Sequence, residues 1–245
     1  MVPPTNTLSP AEALPMTAKA LLTSLVLAFA APALAQQAPS QTPPPDQKAP
    51  PEAAQGATRE PATQAGPTRE PGEVRAGRYL LDRSHGKITW SVSHLGFSTY
   101  YGQISDVDAT LVLDPKAPER STLEARIGTA SAGTLDPKLD AHLKTPDFFN
   151  VAQHPTATFR STRVEVTGPR TARVAGDLTL LGVTKPATFD VTFNQAGFHP
   201  INKSYTVGFD GRGTVRRSEW GMTKYVPGVG DDVALHLEGE FRLAE

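Results

Sequence analysis

The chain has no cysteine among its 245 residues, which removes thiol nucleophiles, disulfide staples and thiolate metal sites at one stroke. It has no surplus of charge either. Its 24 basic and 25 acidic side chains leave a formal net charge of -1, which argues against an electrostatic nucleic-acid binder with a basic stripe. Nor is there a run of the ~20 apolar residues that a spanning helix needs. The longest, Ala20 to Ala31, falls well short. Also missing are a His-Glu-x-x-His helix, a Gly-x-Ser-x-Gly elbow and a P-loop. Gly211-Arg212-Gly213 lies in a strand-like run with no helix after it. The fold must therefore stand on packing, and catalysis has no familiar motif to rest on.

What is present divides the chain in three. Residues 1–35 read as a secretory signal peptide: Lys19, the apolar run, then Ala33 and Ala35 flanking Leu34 as an Ala-x-Ala cleavage site. The first fifteen residues lack the basic character of an n-region, which places the expected start at Met16. Residues 36–76 are rich in Pro, Ala, Gln, Thr and Glu and repeat Thr-Arg-Glu-Pro at Thr58 to Pro61 and Thr68 to Pro71. With so little apolar surface to offset chain entropy, they read as a disordered Pro-rich linker. Residues 77–245 are long enough for one domain with a proper core.

Within that domain, period-two alternation dominates. Ile88, Trp90, Val92 and His94 share one parity; so do Leu123, Ala125 and Ile127, then Leu178 and Leu180, then Phe189, Val191 and Phe193. Further runs cover Val107 to Leu113, Ala157 to Val166, Tyr205 to Arg217 and Val233 to Leu243. Apolar parity is even at Ile104 but odd from Val107, so the register slips near Ser105-Asp106, as a β-bulge would make it. Short connections at Asp114-Pro115, Thr167 to Pro169 and Leu181 to Pro186 suit antiparallel hairpins. One interval reads as helix: Asp136 as cap, Pro137 at the first position, and Leu139, His142 and Leu143 on one face before Thr145-Pro146. The expectation is all-β: an eight-stranded antiparallel barrel with one short helical excursion. A two-sheet sandwich is the alternative.

The residues also resemble a known family. YLLDRSHGKITWSVSHLGFS, DAHLKTPDFFNVAQHPTATFRST, GDLTLLGVTKPATFDVTFN and VRRSEWGMTKYVPGVGDDVALHLEGEF occur in the order found in YceI-like, or polyisoprenoid-binding, proteins, over essentially all of residues 79–243. The resemblance implies a lipocalin-like barrel in the periplasm, often dimeric, with an apolar pocket for a long isoprenoid, a quinone or a similar lipid. Transport, storage and stress protection are the roles it leaves open. It implies no catalysis and no cofactor beyond the bound lipid, and its lipid would be exchanged by transient contact with a membrane. Ser84-His85-Gly86 and Ile104 depart mildly from the family pattern.

Parity nominates a lining of Trp90, Val92, Ile127, Phe159, Leu178, Leu180, Phe189, Val191, Phe193, Val207 and Phe209. Taken alone, such residues suit a filled core; with the resemblance they suit a lined cavity. Phe148 and Phe149 are expected to fold inward as a plug or gate, and His154 to lie in a turn. His94 is either a headgroup ligand or a buried hydrogen-bonded histidine. Arg217 either meets a pyrophosphate or carbonyl at the barrel mouth or sits in a structural ion pair. Asp140 with His142, and Asp82 with His85, could supply metal ligands to a hydrolase, though no dense ligand set accompanies them. A binder of another small amphiphile, such as a fatty acid or amide, is the nearer alternative.

Overall fold

A computed structural model describes residues 66–244. The expected signal peptide and most of the expected linker lie outside the described residues. Eleven strands run antiparallel in one sheet: β1 (Gly77–Leu81), β2 (Lys87–His94), β3 (Ser98–Ile104), β4 (Val107–Leu113), β5 (Thr122–Gly128), β6 (Ala132–Gly133), β7 (Thr156–Gly168), β8 (Thr171–Leu180), β9 (Val183–Phe198), β10 (Tyr205–Arg216) and β11 (Val229–Leu243). They make eight staves, because three staves are broken in two. β11 pairs with β2 along Val229 to Glu238 and with β1 along Phe241 to Leu243. β3 and β4 follow one another against β2 and β1, and β6 and β5 follow one another against β3 and β4. The pairing of β1 with β11 closes the ring. The fold is the expected eight-stranded antiparallel barrel, and closure removes the free edges that would otherwise template aggregation.

The break between β3 and β4 falls at Ser105-Asp106, where the parity slips. Asp106 N–H donates to Ser131 Oγ, which in turn donates to the Gly128 carbonyl. The bend is thus tied to the neighbouring stave instead of being left with unpaired backbone.

The single α-helix among the described residues, α1 (Pro137–Leu143), is capped as its sequence asks. Asp136 accepts from Lys138 N and Leu139 N, with Pro137 in the first turn. The turn expected at Leu181 to Pro186 is shorter. Only Leu181 and Gly182 form it, both at positive φ as a two-residue hairpin of this hand requires, and β9 begins at Val183. Pro186 is tolerated inside β9 because β10 pairs with β9 only from Asp190 onward, so the lost N–H donor would have faced no strand.

The expected linker also ends sooner than its composition suggests. Thr68 bridges to Ala196 of β9, residues Pro71–Glu73 make a 3-10 turn, and Val74 is buried at 6% exposure with Tyr79 and Val207 in the core.

Candidate ligand-binding site

The inward parity of the staves lines an apolar lumen with two adjoining cavities, about 290 and about 310 Å3. Each lies at the lower bound of the range of ~300–1,000 Å3 seen for small-molecule sites. Both are lined by Ile88, Ile127, Leu178 and Leu235, where they meet. The first cavity lies at the α1 end and the second runs toward the β7–β8 turn at Gly168 to Thr171.

Sequence-nominated residues line both. Trp90, Val92, His94, Phe148, Phe149, Leu180 and Arg217 border the first cavity; Phe159, Phe189, Val191, Phe193 and Phe209 border the second; Ile127 and Leu178 stand at the junction. Val207 borders neither. It is fully buried in a solid cluster with Val74, Tyr79, Ala196 and Phe241, because β10 there runs beneath the chain that crosses from Thr68 to β1. Lining residues that the nomination passed over include Ile88 and Leu235, which share the parity of Trp90 and Leu237. Others are Thr129, Leu139, Met222 and Tyr225, for which no strand period gives a signal.

Trp90 shapes the first cavity in two ways. The Trp90 ring lies over Gly102, where a Cβ would meet the indole far too closely. The Trp90 indole N–H is buried and has no hydrogen-bond partner among the described residues.

Phe148 is 9% exposed and packs with Leu143 and Met222 against Trp90, Phe149 and Leu180. Its ring meets the His142 ring edge-on at 5.0 Å between centroids. A reverse turn ties the segment down: Phe148 N–H donates to the Thr145 carbonyl and Phe149 N–H to Leu143. His142 Nε2 is 2.8 Å from Asp147 Oδ2, and Lys224 Nζ lies 3.2 Å from the same oxygen. The hydrogen bond from His142 and then that from Lys224 hold the Asp147 carboxyl below the ordinary aspartate range. Residues 142–149 thus border the first cavity and are braced by contacts that converge on Asp147.

His94 is exposed at the end of β2, 6.2 Å from the Tyr100 ring, so of its two readings the buried, hydrogen-bonded histidine is overturned. The strand ends there and leaves the ring at the rim. Arg217 is 5% exposed, yet it sits in no direct ion pair among the described residues. Nε donates to Gly230 O at 2.8 Å, Nη1 to Met222 O at 2.9 Å and Nη2 to Val229 O at 2.8 Å. The expected structural ion pair is replaced by a staple of three carbonyls that pins the loop between the 3-10 turn at Arg217–Trp220 and β11. Burial lowers the Arg217 pKa from its ordinary value and the nearby Asp231 charge opposes that.

The metal-ligand candidates do not converge. Asp140 Oδ1 accepts from Thr134 N and Oγ1, while His142 is held by Asp147. No group of three or more ligating side chains occurs among the described residues. In the Asp82 cluster, His85 Nδ1 lies 3.0 Å from both Asp82 Oδ2 and Ser84 Oγ. A general base of the triad kind needs its carboxylate on one ring nitrogen and its nucleophile on the other. Here one nitrogen faces both.

Comparison with known proteins agrees with this architecture. The chain is 37% identical over 171 residues to a protein of Ectopseudomonas mendocina (strain ymp) described as "UPF0312 protein", covering 69% of this chain and 89% of that one. The barrel is similar to the crystal structure of BcnA from Burkholderia cenocepacia, with a TM-score of 0.57 and 24% identity over 65% of this chain and 98% of BcnA. It is also similar to a polyisoprenoid binding domain from Saccharophagus degradans implicated in plant cell wall breakdown. That TM-score is 0.52 at 9% identity, over 69% of this chain and 100% of that domain, a likeness of fold. The model of the YceI-like domain matches residues 79–241, which span nearly all of the barrel, and the chain therefore belongs to the YceI-like family.

Proposed function

We propose that this protein binds a long-chain isoprenoid or related lipid, such as a quinone, in the barrel lumen and carries or sequesters it in the periplasm. The observation that supports the reading is the pair of adjoining apolar cavities in the lumen, with polar groups gathered at the α1 end: His94, His142 and Arg217. The Trp90 N–H would donate to an oxygen on the bound molecule and so remove the ~1–3 kcal/mol cost of an unpaired buried donor.

Energetics favour exchange over permanent capture. A forty-carbon tail at ~0.8 kcal/mol per buried CH₂ would nominally gain ~30 kcal/mol on leaving water, beyond the ~20 kcal/mol at which non-covalent affinities saturate. Such a lipid starts in a membrane, however, so the transfer swaps one apolar medium for another and is nearly balanced. The hairpin tip beside the first cavity suits contact with a bilayer: Leu95 is 56% and Phe97 89% exposed, next to His94, and Tyr225 stands across the same mouth. A second copy seated on that rim would cover the same side chains.

The test is extraction of the protein purified from periplasmic fractions, with mass spectrometry of what it carries, and uptake of a fluorescent prenyl analogue. A prenyl lipid or quinone in the extract supports the reading; a fatty acid or amide supports the neighbouring one. No extractable lipid together with no uptake overturns both. Analytical ultracentrifugation of the Phe97→Ser variant separates a dimer rim from a membrane-facing one.

A further inference from the structure

We infer that residues 67–76 act as a strap that closes the far end of the lumen and limits the length of the tail it accepts. This rests on the lipid-binding reading above. The segment precedes the stretch matched by the family model, which begins at residue 79. It crosses from β9 to the start of β1 across the end of the barrel opposite α1. Pro71 and Val74 border the second cavity beside the turn residues Pro118 and Pro169. Val74 points into the core at 6% exposure, so a tail reaching this end meets the strap.

The strap is built to stay in place. Thr68 and Ala196 exchange both backbone hydrogen bonds, at 2.7 and 2.9 Å. Arg69 Nε donates to Asn194 O, and the Tyr79 hydroxyl donates to Arg75 O at 2.6 Å. The Arg75 guanidinium lies 4.7 and 4.6 Å from the ring centroids of Phe198 and Tyr205, a double cation–π contact. Gly197 makes the docking fit: a Cβ there would come within 2.9 Å of Pro67 Cα. That residue borders an outer groove and lines neither lumen cavity. Its substitution therefore displaces the strap without altering the stave residues that line the lumen.

The experiment measures uptake of a series of prenyl alcohols of increasing length by the full chain, by Gly197→Val and by Arg75→Ala. Hydrogen exchange at Thr68 and Ala196 reports strap release independently of any lipid, and circular dichroism reports folding. The expected result is a sharp length cut-off in the wild type that moves to longer tails in both variants. For the first isoprene unit past the wild-type limit, the uptake ratio should rise about tenfold or more, since burying a few methylenes is worth over a decade in binding. An unchanged cut-off in a folded variant whose Thr68 and Ala196 amides have become unprotected overturns the strap as a length limit. A wild type that takes up no prenyl alcohol at all overturns instead the lipid-binding reading on which it rests.

Discussion

Replacing Phe148 by Ala tests whether residues 142–149 gate the lumen. The ring is 9% exposed and packs against Leu143 and Met222 on one side, with the cavity on the other. Truncating a buried phenylalanine costs ~3–5 kcal/mol. Here the lumen already denies the ring part of its contacts, which places the loss near the low end, about 3 kcal/mol. The kinetic consequence is separate from the thermodynamic one, because the removed ring borders the first cavity. Dissociation of a fluorescent prenyl analogue into acceptor vesicles should accelerate about tenfold or more, corresponding to ~1.4 kcal/mol off the exit barrier. His154→Ala is the control. Its carbonyl accepts from Thr129 Oγ1, a bond the substitution leaves in place, so stability should change by less than ~0.5 kcal/mol and dissociation hardly at all. Phe148→Leu, nearly conserving volume, should fall between. Urea unfolding gives the stability, and stopped-flow fluorescence at matched folded fractions gives the rate. Equal dissociation rates for the Phe148 and His154 variants would refute the gate.

Arg217→Met should cost about 3–5 kcal/mol in urea unfolding by leaving carbonyls of Met222, Val229 and Gly230 without their donor, and Arg217→Lys should recover only part of it. A loss of lipid uptake with full stability would instead assign the guanidinium to the ligand. Burial alone would raise the Asp82 carboxyl, but hydrogen bonds from Ser84, His85 and Arg242 outweigh it and hold the group below the ordinary aspartate range. A depressed folded-state pKa contributes stability that is fully present above the unfolded value of ~3.9 and is lost as pH falls through the folded one. Thermal melts from neutral pH downward should therefore show a decline below about pH 4 that Asp82→Asn flattens; parallel curves would count against it. Gly102→Ala should push the Trp90 ring off its seat, visible as a shifted tryptophan emission and weaker uptake, whereas unchanged emission would place that ring elsewhere.

Much of the architecture was legible because strand parity and local caps are short-range facts. A period of two assigns Trp90, Val92 and Phe189 to an inward face whatever their partners are, and the parity slip at Ser105-Asp106 marks the bend without knowledge of what it bends toward. Asp136-Pro137 specifies the start of α1 by its own side-chain chemistry. Parity does not reveal how close the opposite wall stands. Val207 and Phe209 share a face in sequence, yet one is sealed in solid packing and the other borders a cavity.

Arg217 and the strap show the same limit from the polar side. Guanidinium chemistry suggests a charged partner, but three carbonyls of a loop brought over by β11 satisfy it, and nothing local in the sequence announces them. Composition assigns residues 67–76 to a linker since they hold little apolar surface; one buried valine, one backbone bridge and one arginine between two rings suffice to dock them. The sequence by itself thus determined the strands, their inward faces, the bend and the capped helix, each governed by neighbours a few residues away. Only the tertiary structure decided which inward residues enclose space, what the buried charge is bonded to and where the lumen ends, because those depend on distances between staves far apart in the chain.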